Sequence, residues 1–268
     1  MFEPRLALAS LSGESDADWA RSADEFAGAA LLGGIALDGP TREAARELVA
    51  RDREEFLPDD PAAFVDRQLA ALEDADLRAG FNVRTTTLEP LREVARICAE
   101  RGALLELNAH CRQDEMCAAG AGEALLRDAD RLREQVATAA DEGATVGVKV
   151  RAEVPGVDLA ELTRVVAEAG GDAIHVDAMD SEGVVAEVAE AARSAESTVG
   201  TELLVIANNG VRDDETVHEY LAYGADAVSV GRPSDDPAVL RRVEGAVSEW
   251  FAEDAADRGP DREREVSA

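Results

Sequence analysis

Short apolar runs alternate with amphipathic stretches along most of the chain. Apolar runs of strand length predict eight β-strands, at residues 5–11, 29–37, 78–85, 103–108, 145–150, 173–176, 203–207 and 227–230. Apolar positions at helical spacing predict helices at residues 16–28, 41–51, 61–73, 88–101, 123–142, 158–169, 183–194, 214–223 and 238–251. Eight strands that alternate with helices over roughly 250 residues predict an α/β fold, a single-domain (β/α)8 or TIM barrel.

The end of the chain departs from this pattern. Residues 252–268 are polar and charged and show no apolar periodicity. A segment of this composition cannot bury enough apolar surface to offset the entropy lost on ordering. We therefore predict that the barrel spans residues 1–251 and that residues 252–268 form a disordered tail.

The composition is strongly acidic. The 268 residues include 57 acidic and 27 basic ones, a formal net charge of −30. Charge repulsion burdens a compact protein at low salt, whereas in molar salt the Debye length falls to about 3 Å and the repulsion is screened. The acidity therefore indicates adaptation to a salty cytoplasm, although a merely acidic protein would have the same composition.

The sequence also favours a cytoplasmic location. No apolar stretch approaches the roughly 20 residues of a membrane span, and residues 1–11 lack a signal-peptide pattern. Three cysteines are too few for a disulfide scaffold, and their odd number fits a reducing compartment. We therefore expect a soluble protein with no membrane partner.

Polar residues collect where the predicted strands end, which is the edge at which barrel enzymes carry their chemistry. These residues are Ser10, Ser12, Asn82, Arg84, Asn108, His110, Cys111, Lys149, Arg151, His175, Asp177, Asn208, Asn209 and Arg232. The third histidine of the chain, His218, lies in a predicted helix and is best explained as a surface or packing residue. We expect the active site at this edge of the barrel.

Lys149 is the one lysine of the chain. It lies within the apolar run at residues 146–150, so its neighbours indicate a strand interior and argue against a chance lysine on the surface. An ammonium is a compact charge with a tunable pKa, and a guanidinium is neither. Lys149 is therefore a candidate for a role that arginine cannot perform.

The last two predicted strands end in glycine-containing pairs. Asn209-Gly210 follows the seventh strand and Gly231-Arg232 follows the eighth. Glycines there let backbone N–H groups approach an anion, and the loops after these strands are the usual phosphate site of TIM barrels. An Asn-Gly pair alone is also a plain turn signal, but the placement of both pairs favours a phosphate group.

Two other kinds of site are disfavoured. Cys111 and Cys117 are not spaced as a zinc-binding pair, and no HxH or HExxH motif occurs. We therefore predict no metal site. A serine hydrolase is disfavoured because the GxSxG motif is lacking.

Several of these segments together resemble the tRNA-dihydrouridine synthases. LLELNAHC and GAGEALLRD are similar to the family's N-x-G-C-P segment and the element after it, and VGVKVR to its VKIR strand. AIHVDAMD and LLVIANNGVRDDETVHEYLAYGADAVSVGRP are similar to its histidine strand and its two phosphate strands. ALASLSG stands where the family has a looser A-P-M-A-G. The likeness covers about residues 5–245 and is nearest to a short archaeal group of barrels.

The resemblance implies FMN as cofactor and NAD(P)H as electron donor. It implies that Cys111 is the general acid that protonates a pyrimidine carbon, that Asn108 helps to orient the base, and that Lys149 and His175 face the flavin ring. The cofactor-binding residues implied are Ala9, Ser10, Asn82, Lys149, His175, Asn209, Gly210, Gly231 and Arg232. A thiol suits the acid role because it is mostly protonated at neutral pH. A cysteine that is merely packed at the barrel mouth is the alternative.

Three features depart from the family pattern. His110-Cys111-Arg112 replaces Gly-Cys-Pro, and Cys117 lies close enough in sequence to be the working thiol instead. The helical domain that binds tRNA in the family is not recognisable after the eighth helix. No basic cluster replaces it, although binding to the phosphate backbone of RNA needs clustered Lys or Arg. A homo-oligomer or an RNA-binding partner could supply that grip.

The resemblance therefore implies an FMN-dependent oxidoreductase that reduces the C5–C6 bond of a pyrimidine, with uridine in tRNA as the first candidate and dihydrouridine as the product. Two alternatives remain open. One is an enzyme similar to dihydroorotate or dihydropyrimidine dehydrogenase, which acts on a small free pyrimidine. The other is a barrel that binds flavin or phosphate without catalysis.

Overall fold

Eight parallel strands form the centre of the protein. The computed structural model describes residues 2–200 and 202–258. Each strand pairs with the next one in the chain, and the eighth pairs with the first, so the sheet closes into a barrel. The strands are β1 (Leu6–Leu8), β2 (Ala29–Ala36), β3 (Arg78–Arg84), β4 (Leu104–Asn108), β5 (Thr145–Arg151), β6 (Ala173–Asp177), β7 (Leu204–Asn208) and β8 (Ala227–Val230). The predicted (β/α)8 barrel is confirmed.

Helices connect the strands and surround the sheet. They are α1 (Ala17–Arg21), α2 (Gly39–Val49), α3 (Pro61–Ala70), α4 (Leu88–Glu100), α5 (Asp114–Ala118), α6 (Glu123–Leu126), α7 (Ala129–Asp141), α8 (Leu159–Glu168), α9 (Val184–Val199), α10 (Asp214–Ala222) and α11 (Pro237–Arg258), with a 3₁₀ turn at Arg232–Asp235. Within the described residues, no helix has both the length and the apolar content needed to cross a membrane.

Aspartates begin several of these helices. The carboxylates of Asp38, Asp60, Asp128, Asp158 and Asp213 each accept a hydrogen bond from the backbone N–H three positions later. A carboxylate in this position satisfies an otherwise unpaired N–H and faces the positive end of the helix dipole. Part of the acidic composition therefore has a structural use.

Several helices differ from their predicted extents; for example, α9 ends five residues later than predicted. The predicted helix at residues 123–142 is two helices, because Asp128 accepts from the backbone N–H of Arg131 and starts α7 afresh. The predicted helix at residues 16–28 ends at Arg21, and the next residues turn towards β2, where Asp24 accepts from the backbone of Asp76 and Leu77. Helix α11 extends to Arg258, so residues 252–258 of the predicted tail are helical. Residues 259–268 lie outside the described part of the chain.

The main apolar core lies between the sheet and the helices. Helix α4 places Leu91, Val94, Ala95 and Cys98 against the barrel, all of them fully or almost fully buried, as their helical spacing predicts. Burial raises the pKa of the Cys98 thiol to about 12, so this cysteine is a packing residue and not a reactive one.

Strand register decides which polar side chains become neighbours. Residues that pair across adjacent parallel strands lie side by side on the same face of the sheet. The polar pairs near the carboxyl ends are Asn82–Glu106, Asn108–Lys149, Lys149–His175, Arg151–Asp177, Asp177–Asn208 and Asn208–Ser229. The closed sheet therefore brings the polar residues of β3 to β8 into one ring.

Asp38 ties the ends of β2 and β3 together. One carboxylate oxygen accepts from the backbone N–H of Thr41 at 3.1 Å and from its hydroxyl at 2.6 Å, which caps α2. The other accepts from the backbone N–H and the hydroxyl of Thr86, both at 2.6 Å, and from the hydroxyls of Thr85 and Thr87. Burial raises the pKa of Asp38, but the hydrogen bonds from Thr41 and Thr86 lower it below its ordinary value.

We expect Asp38→Asn to lower the free energy of unfolding by about 2 kcal/mol, because the new amide N–H₂ must face donors on Thr41 or Thr86. Since the pKa of Asp38 is lower in the folded state, its carboxylate stabilises the fold above the unfolded-state pKa, and this contribution is lost as the pH falls through the folded-state pKa. Urea unfolding in molar salt, at neutral and at acid pH, measures both effects.

Asp213→Asn is the matched control. Asp213 forms the same kind of capping box with Thr216, but it lies at the start of α10 and is partly exposed. Because asparagine is also a good helix cap, we expect a loss well below about 1 kcal/mol. Equal losses in the two variants would mean that the contacts of Asp38 with the end of β3 contribute little.

Candidate active site

Four of the predicted site residues meet inside the mouth of the barrel. Asn82, Asn108, Lys149 and His175 come from β3, β4, β5 and β6, and all four are buried. Each stands at or near the carboxyl end of its strand, as predicted. The structure therefore places them in one continuous cluster.

Glu106 of β4 lies at the centre of this cluster. One carboxylate oxygen accepts from the Asn82 side-chain amide at 2.5 Å, and the other lies 2.7 Å from His175 Nδ1. Burial raises the pKa of Glu106, but His175, the Lys149 ammonium and the Asn82 amide together lower it below its ordinary value. Glu106 is therefore ionised at neutral pH and only accepts hydrogen bonds.

The sequence analysis did not single out Glu106. The signal was present, since a carboxylate inside the apolar run LLELN is unusual and a buried glutamate is rarely found without a partner. What the sequence lacks is the identity of that partner, because Asn82 and His175 lie on other strands.

A chain of hydrogen bonds continues from His175 to β7 and β8. The second ring nitrogen, Nε2, lies 2.7 Å from the hydroxyl oxygen of Ser229, and that oxygen accepts from the Asn208 side-chain amide at 2.8 Å. Because ionised Glu106 can only accept, His175 carries its proton on Nδ1 and accepts from Ser229 at Nε2. Burial and the charge of Lys149 lower the pKa of His175, although Glu106 raises it, so the ring is neutral at neutral pH.

A second chain leads from Asn82 to the loop that carries Cys111. The side-chain amide of Asn108 donates to the side-chain oxygen of Asn82, Oδ1, at 2.8 Å. The side-chain oxygen of Asn108, Oδ1, accepts from the backbone N–H of Cys111 at 3.0 Å. The same oxygen also accepts from the backbone N–H of His110. Asn108 therefore fixes the backbone of the loop in which the predicted general acid lies.

Lys149 carries the positive charge of the cluster. Burial lowers its pKa, and the nearby carboxylates of Glu106 and Asp177 raise it, with a net value below that of an ordinary lysine. Within residues 2–200 and 202–258, its ammonium has no hydrogen-bond partner. An ammonium in this state is available to bind a polar or anionic ligand at the mouth.

Arg84 and Glu55 form a buried ion pair on the β2–β3 side. The guanidinium contacts both oxygens of Glu55, at 3.1 and 2.8 Å, and donates to Ser12 and to the backbone oxygen of Gly34. Both side chains are nearly inaccessible to solvent. This pair holds the segment after α2 against the loop after β1, which closes one side of the mouth.

His110 is neutral for a clear physical reason. Burial, followed by the positive charges of Lys149, Arg84 and Arg151, lowers the pKa of its ring well below the ordinary value. Its Nδ1 lies 3.2 Å from the side-chain oxygen of Asn108, Oδ1. Because an amide oxygen only accepts hydrogen bonds, this nitrogen carries the proton. The mouth is thus surrounded by basic groups, although the chain as a whole is acidic.

The two cysteines of this loop are not equivalent. Cys111 is half-buried at the mouth, and its sulfur has no hydrogen bond among the described residues. Cys117 in α5 directs its thiol to the backbone oxygen of Cys111 at 3.5 Å. Burial, with the neighbouring Cys111, raises the pKa of Cys117. Cys111 therefore has the freer thiol.

The ends of β7 and β8 offer unpaired backbone donors. Asn209 and Gly210 both have positive φ, and the Asn209 side chain donates to the backbone oxygen of Met179. Across the described residues, the backbone N–H groups of Gly210, Gly231 and Arg232 find no acceptor, and the space beside both glycines is open. Arg232 is exposed at the start of the 3₁₀ turn. This arrangement suits an anion such as a phosphate.

The two remaining predicted residues lie beside these donors. Ala9 is buried and donates from its backbone to Val230 of β8 at 2.8 Å, and Ser10 is partly exposed at the mouth. The predicted residues of β1, β7 and β8 therefore form one side of the mouth, and those of β3 to β6 form the other.

Sequence relatives and a family model match the chain. Residues 65–257 match the dihydrouridine synthase family model. An uncharacterized protein of Methanocaldococcus jannaschii is 25% identical over 243 residues, which cover 86% of this chain and 89% of that protein. The tRNA-dihydrouridine synthase B of Xanthomonas campestris is 28% identical over 159 residues, which cover 57% of this chain and 48% of that protein.

Solved structures share the fold. DHODH from Eimeria tenella, solved in complex with ferulenol, is similar over 95% of this chain and 83% of its own, with a TM-score of 0.62 and 15% identity. At this identity the likeness concerns the barrel alone. The family match, in contrast, covers well over half of the chain and agrees with the resemblance of its motifs. The chain therefore belongs to the dihydrouridine synthase family, a family of flavin-dependent oxidoreductases.

Proposed function

We propose that the protein binds FMN and reduces the C5–C6 bond of uridine in tRNA to give dihydrouridine, with NAD(P)H as the electron source. The observation that carries this proposal is the meeting of three features at one barrel mouth. Among the described residues, the Lys149 ammonium, the Cys111 thiol and the backbone N–H groups of Gly210 and Gly231 all lack a hydrogen-bond partner. Membership of the dihydrouridine synthase family supports the same reaction.

Groups on both sides of the mouth support the binding of a flavin mononucleotide. The N–H groups of Gly210, Gly231 and Arg232, with the Arg232 side chain, would hold the phosphate. Lys149 would lie near the ring, where an ammonium stabilises the negative charge of the reduced form. Ala9, Ser10, Asn82, His175 and Asn209 would complete the contacts. When bound and reduced by NAD(P)H, FMN would supply the hydride.

The residues of the chain would supply the proton and the alignment. The Cys111 thiol would donate its proton to the pyrimidine carbon on the side opposite the hydride, as a general acid. Asn108 holds the backbone of Cys111 and is placed to orient the base. The burial of Lys149 and His175 excludes water from the inner side of the site.

The choice of tRNA as substrate rests on the family and on the named activity of the Xanthomonas relative. The formal charge of −30 opposes the binding of a polyanion at low salt. We therefore propose that the enzyme works in a salty cytoplasm, where this repulsion is screened, and that a second copy or an RNA-binding partner contributes to the grip on tRNA.

The same charge favours a second candidate, an enzyme that reduces a small free pyrimidine. Such a substrate carries little or no charge and needs no basic surface. The two candidates share the cofactor, Lys149 and Cys111, and differ only in what lies outside the mouth. Incubation of the reduced enzyme in molar salt with unmodified tRNA transcript, or with free uracil or orotate, separates them by which substrate is consumed.

We expect protein purified in molar salt to show a flavin absorption spectrum. Lys149→Met, which keeps the apolar stem and removes the charge, should weaken the binding of reduced FMN by about 10- to 100-fold, because one hydrogen bond to a charged group contributes about 1.5–3 kcal/mol. Titration of the apoprotein with FMN, followed by reductive titration, measures the change.

Arg164→Met is the control for loss of a charge. Arg164 is exposed on α8, on the outside of the barrel, and its replacement should leave the affinity unchanged. A colourless wild-type protein that FMN cannot reconstitute would refute the redox function and leave a phosphate-binding barrel.

Replacement of each loop cysteine tests the acid. We expect Cys111→Ala to lower dihydrouridine formation by about 10²-fold or more, the usual contribution of a general acid, while FMN stays bound. Cys117→Ala should retain activity within a few-fold, since the Cys117 thiol is directed to a backbone oxygen. Nucleoside mass spectrometry of the treated tRNA measures the product. Full activity in Cys111→Ala with loss in Cys117→Ala would move the acid to Cys117.

A further inference from the structure

Glu106 joins two hydrogen-bonded chains of side chains, and no other hydrogen bond links these chains within the described residues. One chain runs from Asn82 through Asn108 to the backbone N–H of Cys111. The other runs from His175 to Ser229 and Asn208. Together they connect β3, β4, β6, β7 and β8 with the loop of the predicted acid.

We propose that Glu106 is the positioning residue of this active site: its buried carboxylate sets the direction of both chains, and thereby the tautomer of His175 and the placement of Cys111. The proposal rests on the proposed function for the roles of His175 at the flavin ring and of Cys111 as the acid. The hydrogen-bond directions do not depend on the proposed function, because they follow from the contacts that an ionised Glu106 makes with Asn82 and His175.

Each donor in the first chain must face an acceptor. An ionised carboxylate has no proton to give, so Asn82 must turn its N–H₂ towards Glu106 and its carbonyl oxygen towards Asn108. Asn108 must then donate to Asn82, which leaves the Asn108 oxygen as the acceptor for the backbone N–H of Cys111. The reverse orientation of any amide would place two donors against each other.

The second chain follows in the same way. His175 Nδ1 must carry a proton to bond Glu106, so Nε2 is left as an acceptor for the hydroxyl of Ser229. The Asn208 amide, which donates to the same hydroxyl oxygen, leaves that oxygen free to give its proton to His175. Glu106 thus orients Asn82 and His175 directly and Asn108 and Ser229 through them, while the Asn208 amide also donates to the backbone oxygen of Ser229 at 3.1 Å.

Glu106 also provides, together with Asp177, the negative charge near Lys149. No hydrogen bond joins the side chains of Glu106 and Lys149 within the described residues, but both are buried in the same cluster. A carboxylate there limits how strongly the ammonium attracts electrons to a bound ring. We therefore expect the charge of Glu106, as distinct from its geometry, to shift the midpoint potential of bound FMN to a more negative value.

Glu106→Gln tests the positioning role, because it keeps the shape and replaces one acceptor by a donor. If the new N–H₂ faces His175, the ring must move its proton to Nε2. If it faces Asn82, both asparagines must reverse and the backbone N–H of Cys111 loses its acceptor. We expect at least one of these two changes.

Both changes can be measured without substrate or cofactor. The chain has three histidines, so ¹⁵N-histidine NMR resolves each ring, and His110→Asn and His218→Asn assign the signals. The wild type should show His175 protonated at Nδ1. In Glu106→Gln, either that tautomer changes or the amide of Cys111 exchanges its hydrogen at least about tenfold faster. Circular dichroism in the same salt confirms that the variant is folded.

Glu55→Gln is the matched control. Glu55 is the other buried glutamate at the mouth, but it bonds Arg84 and belongs to neither chain. The Glu55→Gln variant should leave the His175 tautomer and the hydrogen-exchange rate of the Cys111 amide unchanged. A folded Glu106→Gln variant with the wild-type tautomer and unchanged exchange would overturn the proposal, as would a wild-type His175 protonated at Nε2.

Two functional readouts complete the test. With FMN bound, Glu106→Gln should form dihydrouridine about 10²-fold more slowly, since small misplacements of reacting groups cost about that much, and its flavin potential should rise. If the wild type reduces no pyrimidine at all, the proposed function fails, while the NMR result still decides the role of Glu106. Glu106→Asp, which keeps the charge, should restore the wild-type potential more fully than the rate.

Discussion

The ionised carboxylate of Glu106 lies in the interior of the barrel, where water cannot solvate it. A charge in such a position is stable only when hydrogen bonds and an opposite charge replace its hydration. Asn82, His175 and Lys149 do this together, and each comes from a different strand. The rest of the site is arranged around this requirement, because the groups that stabilise Glu106 are also the groups that face the mouth.

The distribution of charge follows from the same constraint. The outside of the protein is acidic, and many of its carboxylates either remain hydrated or begin helices as caps. The mouth instead gathers Lys149, Arg84 and Arg151, each beside a carboxylate: Glu106 and Asp177, Glu55, or Glu123. A site of this kind is close to neutral overall, yet its ammonium and the backbone donors beside β7 and β8 have no hydrogen-bond partner in the part of the chain that the structure describes. It is therefore suited to a ligand that carries negative charge at two separate points.

The two sides of the mouth have different structural origins. The donors on the β7–β8 side belong to backbone at glycines, so their positions depend on the strand ends themselves. The polar groups on the β3–β6 side are side chains that hold each other in place. A backbone site tolerates many changes of the surrounding sequence, whereas the side-chain cluster loses its order when one member changes.

The sequence by itself determined the barrel. The periodicities of strands and helices are local properties of the chain, and eight strands that alternate with helices indicate this one fold. It also located the site residues at strand ends, singled out Lys149 as the one lysine, and marked the two glycine pairs after β7 and β8. It missed Glu106 and Ser229, and it did not foresee the break before α7 or the early end of α1. Glu106 and His175 are 69 positions apart, and His175 and Ser229 are 54 apart. Only the closure and register of the sheet decide that such residues touch, because hydrogen bonds between strands depend on positions in space that no local pattern encodes.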